Sequence, residues 1–141
     1  MFILDTDHLS FLERGGHPIG GRILARMKQA PDQCFTTIIN YEEQTRGWFS
    51  VLAQGKTVTD QIRAYEKMLA QLRNYCSVKV LLFDEKAATK FQDLKKSKVR
   101  IATMDLKIAS ITLAHSATLA TRNSRDFIKV PGLRFEDWTK E

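Results

Sequence analysis

The chain has 141 residues, of which 43% are hydrophobic and 27% charged, the length and composition of one globular domain spanning residues 1–141 with a core of its own. No apolar run approaches the roughly 20 residues needed to cross a bilayer, and Met1-Phe2-Ile3-Leu4 reaches an acid without a preceding basic region, so neither a membrane span nor a signal peptide is expected and the cytoplasm is the expected compartment. A net charge of +6 favours a polyanionic partner.

Phe2-Ile3-Leu4 reads as a buried strand ending at Asp5, and Thr6 opens a short helix with Leu9, Phe11 and Leu12 that Gly15-Gly16 stops. Pro18 reopens helical spacing through Ile19, Ile23, Leu24 and Met27, and Pro31 closes it. Cys34-Phe35-Thr36 is a second strand. The spacing predicts a helix from Thr37 to Gln54 carrying Ile38, Tyr41, Thr45, Trp48 and Leu52 on one face, then another from Val58 to Cys76 with a stripe of Ile62, Tyr65, Leu69, Leu72 and Cys76. Joined through Gly55, the two form a helical hairpin, a natural surface for association.

Val78 to Phe83 has the content of a buried strand, and Asp84 caps a helix with Ala87, Ala88, Phe91 and Leu94 inside. The lysine-rich stretch to Arg100 reads as a loop. A helix from about Thr103 to Ser116, a strand Ala117–Thr121 and a last edge strand near Leu133 and Phe135 complete the chain. Short strands alternating with helices define an α/β fold with a mainly parallel sheet and right-handed crossovers.

Some chemistries are excluded. Cys34 and Cys76 have no neighbouring histidines and read as reduced core residues. His8, His17 and His115 are too dispersed for a helical zinc pair, and the Gly15-Gly16 and Gly20-Gly21 pairs lack the spacing of a phosphate loop.

Four acids remain: Asp5, Glu43, Asp105 and Asp126, each at a strand end or a helix start. Ligands of open parallel sheets bind beyond the carboxyl ends of the strands, where Asp5 falls directly. Asp5 is equally a good N-cap, and Asp7 competes with it for either role. Glu42 and Glu43 point about 100° apart, and Arg46 can pair with either. Asp105 complements the dipole of its helix, and Asp126 lies in a polar segment with Asn123. Carboxylates that converge repel unless a hard divalent cation joins them, which implies Mg2+, with Mn2+ as a substitute. Lys98 and Arg100 before Asp105, and Arg122 and Arg125 beside Asp126, supply cations for a phosphate backbone.

Ile3-Leu4-Asp5-Thr6-Asp7, Thr37 through Glu43, Met104 through Ala109 and Thr121 through Phe127 together resemble the PIN-domain family, in particular the VapC-type toxins. The resemblance spans the chain in order. It implies a three-layer α/β/α fold, a Mg2+-dependent endoribonuclease, and inhibition by a small antitoxin. It maps the acidic quartet onto Asp5, Glu43, Asp105 and Asp126, and polar support onto Thr6 and Asn123. Asp7, where these toxins often have Asn, and Gln44, where a hydrophobic residue is usual, depart from the pattern, and the Glu42-Glu43 doublet leaves the register of the second acid open. The expected partners are RNA, an antitoxin seated along the helical hairpin, and a second copy of the chain, with Trp48 and Phe49 as candidate anchors. The alternatives are a structure-specific DNA nuclease and a non-catalytic RNA-binding domain.

Overall fold

The computed structural model describes residues 1–141. Its centre is a five-stranded, all-parallel sheet in the order β3-β2-β1-β4-β5, formed by β1 (Phe2–Leu4), β2 (Cys34–Thr37), β3 (Lys79–Leu81), β4 (Thr118–Ala120) and β5 (Arg134–Glu136). The chain winds from β1 outward to β3 and then crosses back to β4. The strand order therefore reverses between β1 and β4, which opens a crevice at their carboxyl ends.

Seven helices cover the sheet: α1 (Thr6–Glu13), α2 (Pro18–Gln29), α3 (Ile38–Gln54), α4 (Val58–Ser77), α5 (Glu85–Lys96), α6 (Thr103–Ala114) and α7 (Ser124–Phe127). Period-two alternation divides the strands between two cores. Ile3 and Leu119 face one cluster with Leu94, Ile108, Ile111 and Phe127, while Leu4 and Ala120 face the other with Leu9, Ile23, Tyr75 and Trp138. The result is the expected α/β/α layering, with a sheet parallel throughout.

Local chemistry sets the helix starts. Asp5, Thr37, Thr57 and Asp84 each accept a backbone N–H from the first turn of the helix that follows. Gly15 (φ 46°) and Gly16 (φ 70°) make the left-handed reversal between α1 and α2. A Cβ on Gly20 would lie 2.6 Å from the Phe11 carbonyl oxygen, so only glycine lets α2 approach α1 this closely.

Several elements differ from their sequence expectation. The strand expected over Val78–Phe83 shrinks to Lys79–Leu81, because β3 is an edge with one neighbour and Leu82 is already exposed. The lysine run is helical through Lys96, and a tight turn with Lys98 at φ 60° closes it, Val99 N–H returning to the Leu94 carbonyl. Ile38 is exposed, and Ile39 takes the buried place. On α4 the face is inverted: Ala64, Gln71 and Tyr75 are buried, while Ile62, Tyr65, Leu69 and Leu72 look outward. Gln71 Nε2 donates to Thr45 Oγ1 at 2.8 Å and Tyr75 meets Tyr41 edge-on, so these contacts lock α4 to α3 by its less apolar face. Cys34 is buried as expected; Cys76 is exposed. No helix is long and apolar enough to cross a membrane.

Candidate active site

Asp5 follows β1 directly. Its N–H still joins the sheet through the Ala120 carbonyl at 3.0 Å, and its Oδ1 accepts the His8 N–H at 3.1 Å, so the residue is N-cap and strand-end acid at once. Buried His8 backs it. His8 Nε2 accepts the Trp138 N–H at 3.1 Å, which puts the proton of a neutral ring on Nδ1, 3.2 Å from Asp5 Oδ1. That approach is off the line of a good hydrogen bond and leaves Nδ1 without a geometric partner.

A polar chain delivers Glu43. Thr37 and Asn40 form a capping box at the start of α3, and Asn40, fully buried, donates from Nδ2 to Thr6 Oγ1 at 3.1 Å. Thr6 then donates to Glu43 Oε1. Glu42 instead pairs with Arg46 at 2.7 Å, one helical turn on and away from the site. From the capping box onward, the helix turns Glu43 toward Thr6 and Glu42 toward Arg46.

Asp105 lies in the first turn of α6, and Ala109 and Ser110 behind it are fully buried. Asn123, beyond β4, donates from Nδ2 to Asp126 Oδ2 at 3.1 Å and reaches Asp105 Oδ2 at 3.5 Å. Asp5, Thr6, Asp7, Glu43, Asp105 and Asn123 line one pocket of about 290 Å3 beyond the carboxyl ends of β1 and β4. Asp126 does not line it. It stands next door, tied in through Asn123 and 3.7 Å from Lys129, on a cleft of about 660 Å3 that Lys95, Lys98 and Arg100 also border. Arg122 is exposed over the Phe11 ring, and its charge acts on Asp7; Arg125 is exposed and borders neither cavity.

The electrostatics register the crowding. The Asp105 carboxyl is pushed up to about 6, first by burial and then by Glu43, Asp126, Asp5 and Asp7. Asp7 is raised as well, by partial burial and by Asp5, against the pull of Arg122, His8 and Arg14. Every donor facing the pocket is oxygen or amide, a set suited to a hard cation rather than to zinc. No three acidic, histidine or cysteine side chains stand close enough to hold one ion directly.

Asn40 and His8 have no role in the pattern of acids that marks the site in the sequence. The T-x-x-N capping pattern at residues 37–40 was the available signal for Asn40; His8 depends on a backbone N–H 130 residues away and had none.

A five-stranded parallel sheet with carboxylates gathered beyond the strand where its order reverses is the architecture of a PIN-like nuclease domain. No family model matches the chain. Among curated proteins it is 30% identical to the tRNA(fMet)-specific endonuclease VapC of Salmonella typhimurium over 121 aligned positions, covering 74% of this chain and 92% of that protein. It is 29% identical to ribonuclease VapC1 of Haemophilus influenzae, over 99% of both. Among solved structures it resembles the DNA-bound VapBC complex of Salmonella typhimurium (TM-score 0.73, 24% identity, 97% of both chains). It also resembles VapBC-1 of nontypeable Haemophilus influenzae (TM-score 0.67, 28% identity, 99% and 98%). The chain belongs to the VapC family, the ribonuclease toxins of toxin–antitoxin pairs.

Proposed function

We propose that this ribonuclease cleaves RNA at the pocket between β1 and β4, with Asp5, Glu43, Asp105 and Asp126 holding Mg2+ directly or through its waters, and with Mn2+ able to replace it. The observation that carries this reading is the gathering of Asp5, Glu43 and Asp105 in one pocket beyond the carboxyl ends of β1 and β4, with Asp126 tied to it through Asn123; burial and the neighbouring acids push the Asp105 carboxyl up to about 6, as in a site short of positive charge. When bound, the cation supplies an activated water and neutralises charge on the scissile phosphate.

The remaining work falls to side chains of this protein. Thr6, held by Asn40, fixes Glu43; Asn123 spans Asp105 and Asp126 and holds those two acids in one geometry. Lys98 and Arg100 in the neighbouring cleft, with Arg122 on the other rim, take the phosphates on either side of the cut. Arg125 has no support beyond its exposure.

The antitoxin and a second copy of the chain cover the outward faces of the α3–α4 hairpin, where Ile62, Tyr65, Leu69 and Leu72 on α4 and Phe49 on α3 are all more than 40% exposed. Trp48 is only half-buried and serves either partner or core. The working compartment is the cytoplasm, where RNA is found.

Cleavage of single-stranded RNA, and of DNA as the control, with Mg2+ and with EDTA, tests the assignment. RNA is expected to be cut only with metal, and Asp5→Asn and Asp105→Asn, folded by circular dichroism, are expected to be inactive. Full activity in either variant would refute the site.

A further inference from the structure

Asp7, Phe11 and Arg14 stand at i, i+4 and i+7 on α1, so one face of that helix runs outward from the acid pocket, which Asp7 lines. Arg122, just beyond β4, meets the same face. The Arg14 guanidinium carbon lies 5.2 Å from the centre of the buried Phe11 ring, and that of Arg122 5.3 Å. We infer that this pair is a phosphate clamp: it holds the backbone phosphate of the RNA next to the scissile one, at the α1 rim of the acid pocket, and sets how firmly the strand is bound rather than how fast it is cut. The inference rests on the acid pocket being the cleavage site. It adds Arg14, His17 and Phe11 to a rim on which only Arg122 has been placed.

The first support is charge left without a partner. The arginine ion pairs and side-chain hydrogen bonds of the molecule are made by Arg22, Arg26, Arg46 and Arg134. Arg26 shows a stacked arginine in a structural role, 5.0 Å from the Trp138 ring and bound to Glu136 at 2.8 Å. Arg14 and Arg122 are stacked alike, yet both are exposed and their N–H donors stay open. Both charges act on Asp7, so both lie toward the acid pocket, and neither pairs with it. Two guanidinium groups against one ring repel each other until an anion joins them. Stacking already restricts them, so less freedom is lost when their forks take phosphate oxygens.

The second is the chain reversal after α1. Gly15 and Gly16, at φ 46° and 70°, turn the backbone so that His17 returns to Phe11, its ring 5.4 Å away. His17 Nδ1 accepts the Ile19 N–H, which leaves the proton of a neutral ring on Nε2 as a further donor on this rim. The third is placement. Lys98 and Arg100 border the cleft beside Asp126, whereas Arg14 and Arg122 gather by Asp7, so a strand crossing the acids is held on both sides of its cut.

The test is steady-state cleavage of a single-stranded RNA with Mg2+, and binding of the same RNA, fluorescein-labelled, with Ca2+ at several salt concentrations. It compares the wild type, Arg14→Gln, Arg122→Gln, the double variant, and Arg63→Gln, which removes one exposed charge from α4 as the control. The double variant is expected to raise KM about tenfold with kcat changed less than about twofold. The slope of log affinity against log salt is expected to flatten by about 0.7, the share of one phosphate on a single strand. Phe11→Leu, checked for folding by thermal melt, is expected to raise KM in the same direction although no charge is lost. An RNA series with one neutral methylphosphonate linkage moved along the strand then locates the phosphate. The wild type is expected to lose affinity at a linkage beside the cut to which the double variant is indifferent. A double variant with wild-type KM and salt slope, equal sensitivity to every linkage, or an equal loss in Arg63→Gln would overturn the clamp. Unchanged RNA cleavage together with loss of self-association or of antitoxin binding would overturn it too, and would make the rim a protein seat. A wild type that cuts no RNA is a different failure: it removes the nuclease site, and the clamp with it.

Discussion

At the scale of single residues, the site is one carboxylate under pressure and the small polar groups that hold it there. Asp105 has a folded pKa of about 6 against an ordinary value of 3.8. The folded state therefore holds its proton more tightly than the unfolded chain, and ionising Asp105 costs stability as pH rises from about 4 through 6. Asp105→Asn removes that cost. Without divalent metal the variant is expected to melt above the wild type at pH 7.5, with the gain shrinking to nothing near pH 4, measured by melts in EDTA across that range. A variant less stable than the wild type at pH 7.5 would mean that the crowding is relieved in solution. Thr6 gives a second expectation. It donates to Glu43 and accepts from Asn40, so Thr6→Val keeps the volume and cuts the chain in two places. Activity is expected to fall by about 10- to 100-fold, as for polar groups that orient metal ligands, and Asn40→Ala is expected to fall in step with it.

At the scale of elements, α3 and α4 decide most. Thr37 starts α3 and so sets which glutamate of the doublet turns inward: Glu43 meets Thr6, while Glu42 goes to Arg46. On the same helix Gly47→Ala is expected to add about 0.5–1 kcal/mol of stability, from helix propensity alone, since nothing obstructs the methyl group. Chemical denaturation checks it through a raised midpoint at unchanged slope. On α4, the stripe of Ile62, Tyr65, Leu69 and Leu72 has helical spacing and was legible as a hydrophobic face, but spacing cannot say what a face meets. The core contact is made by Ala64, Gln71 and Tyr75, whose pattern is too polar to read as core, and the stripe is left exposed. Leu69→Glu is accordingly expected to leave the melting temperature within a few degrees and to convert a dimer to a monomer in light scattering. A variant that unfolds, or stays dimeric, would put the self-association surface elsewhere.

At the scale of the whole molecule, the sequence made the sheet legible because strand ends and helix caps are local chemistry: Asp5, Thr37 and Asp84 each mark where one element hands over to the next. The strand order was not local, nor was the division of labour around the acids. Asp5 depends on His8 and Trp138, and Asp126 reaches Asp105 only through Asn123, contacts that separations of 130 and 18 residues hide from any pattern. What the fold assembles is a negative pocket in a protein of net charge +6, and that contrast has a thermodynamic consequence. A cation that binds the folded acids and not the unfolded chain stabilises by mass action, by about 2.7 kcal/mol at a hundredfold excess over its Kd. For a domain of this size that is a rise of roughly 5–10 °C in melting temperature. Protons compete for Asp105, so the Mg2+-induced rise is expected to be full at pH 7.5, to shrink through pH 6 and to be mostly gone at pH 5, and Asp105→Asn is expected to lose most of it at every pH. Calcium, an oxygen-seeking cation of larger radius, separates charge neutralisation from cleavage: it is expected to raise the melting temperature without supporting RNA cutting. Melting curves that do not move with either ion at pH 7.5 would mean that these acids repel one another for some purpose other than holding a cation.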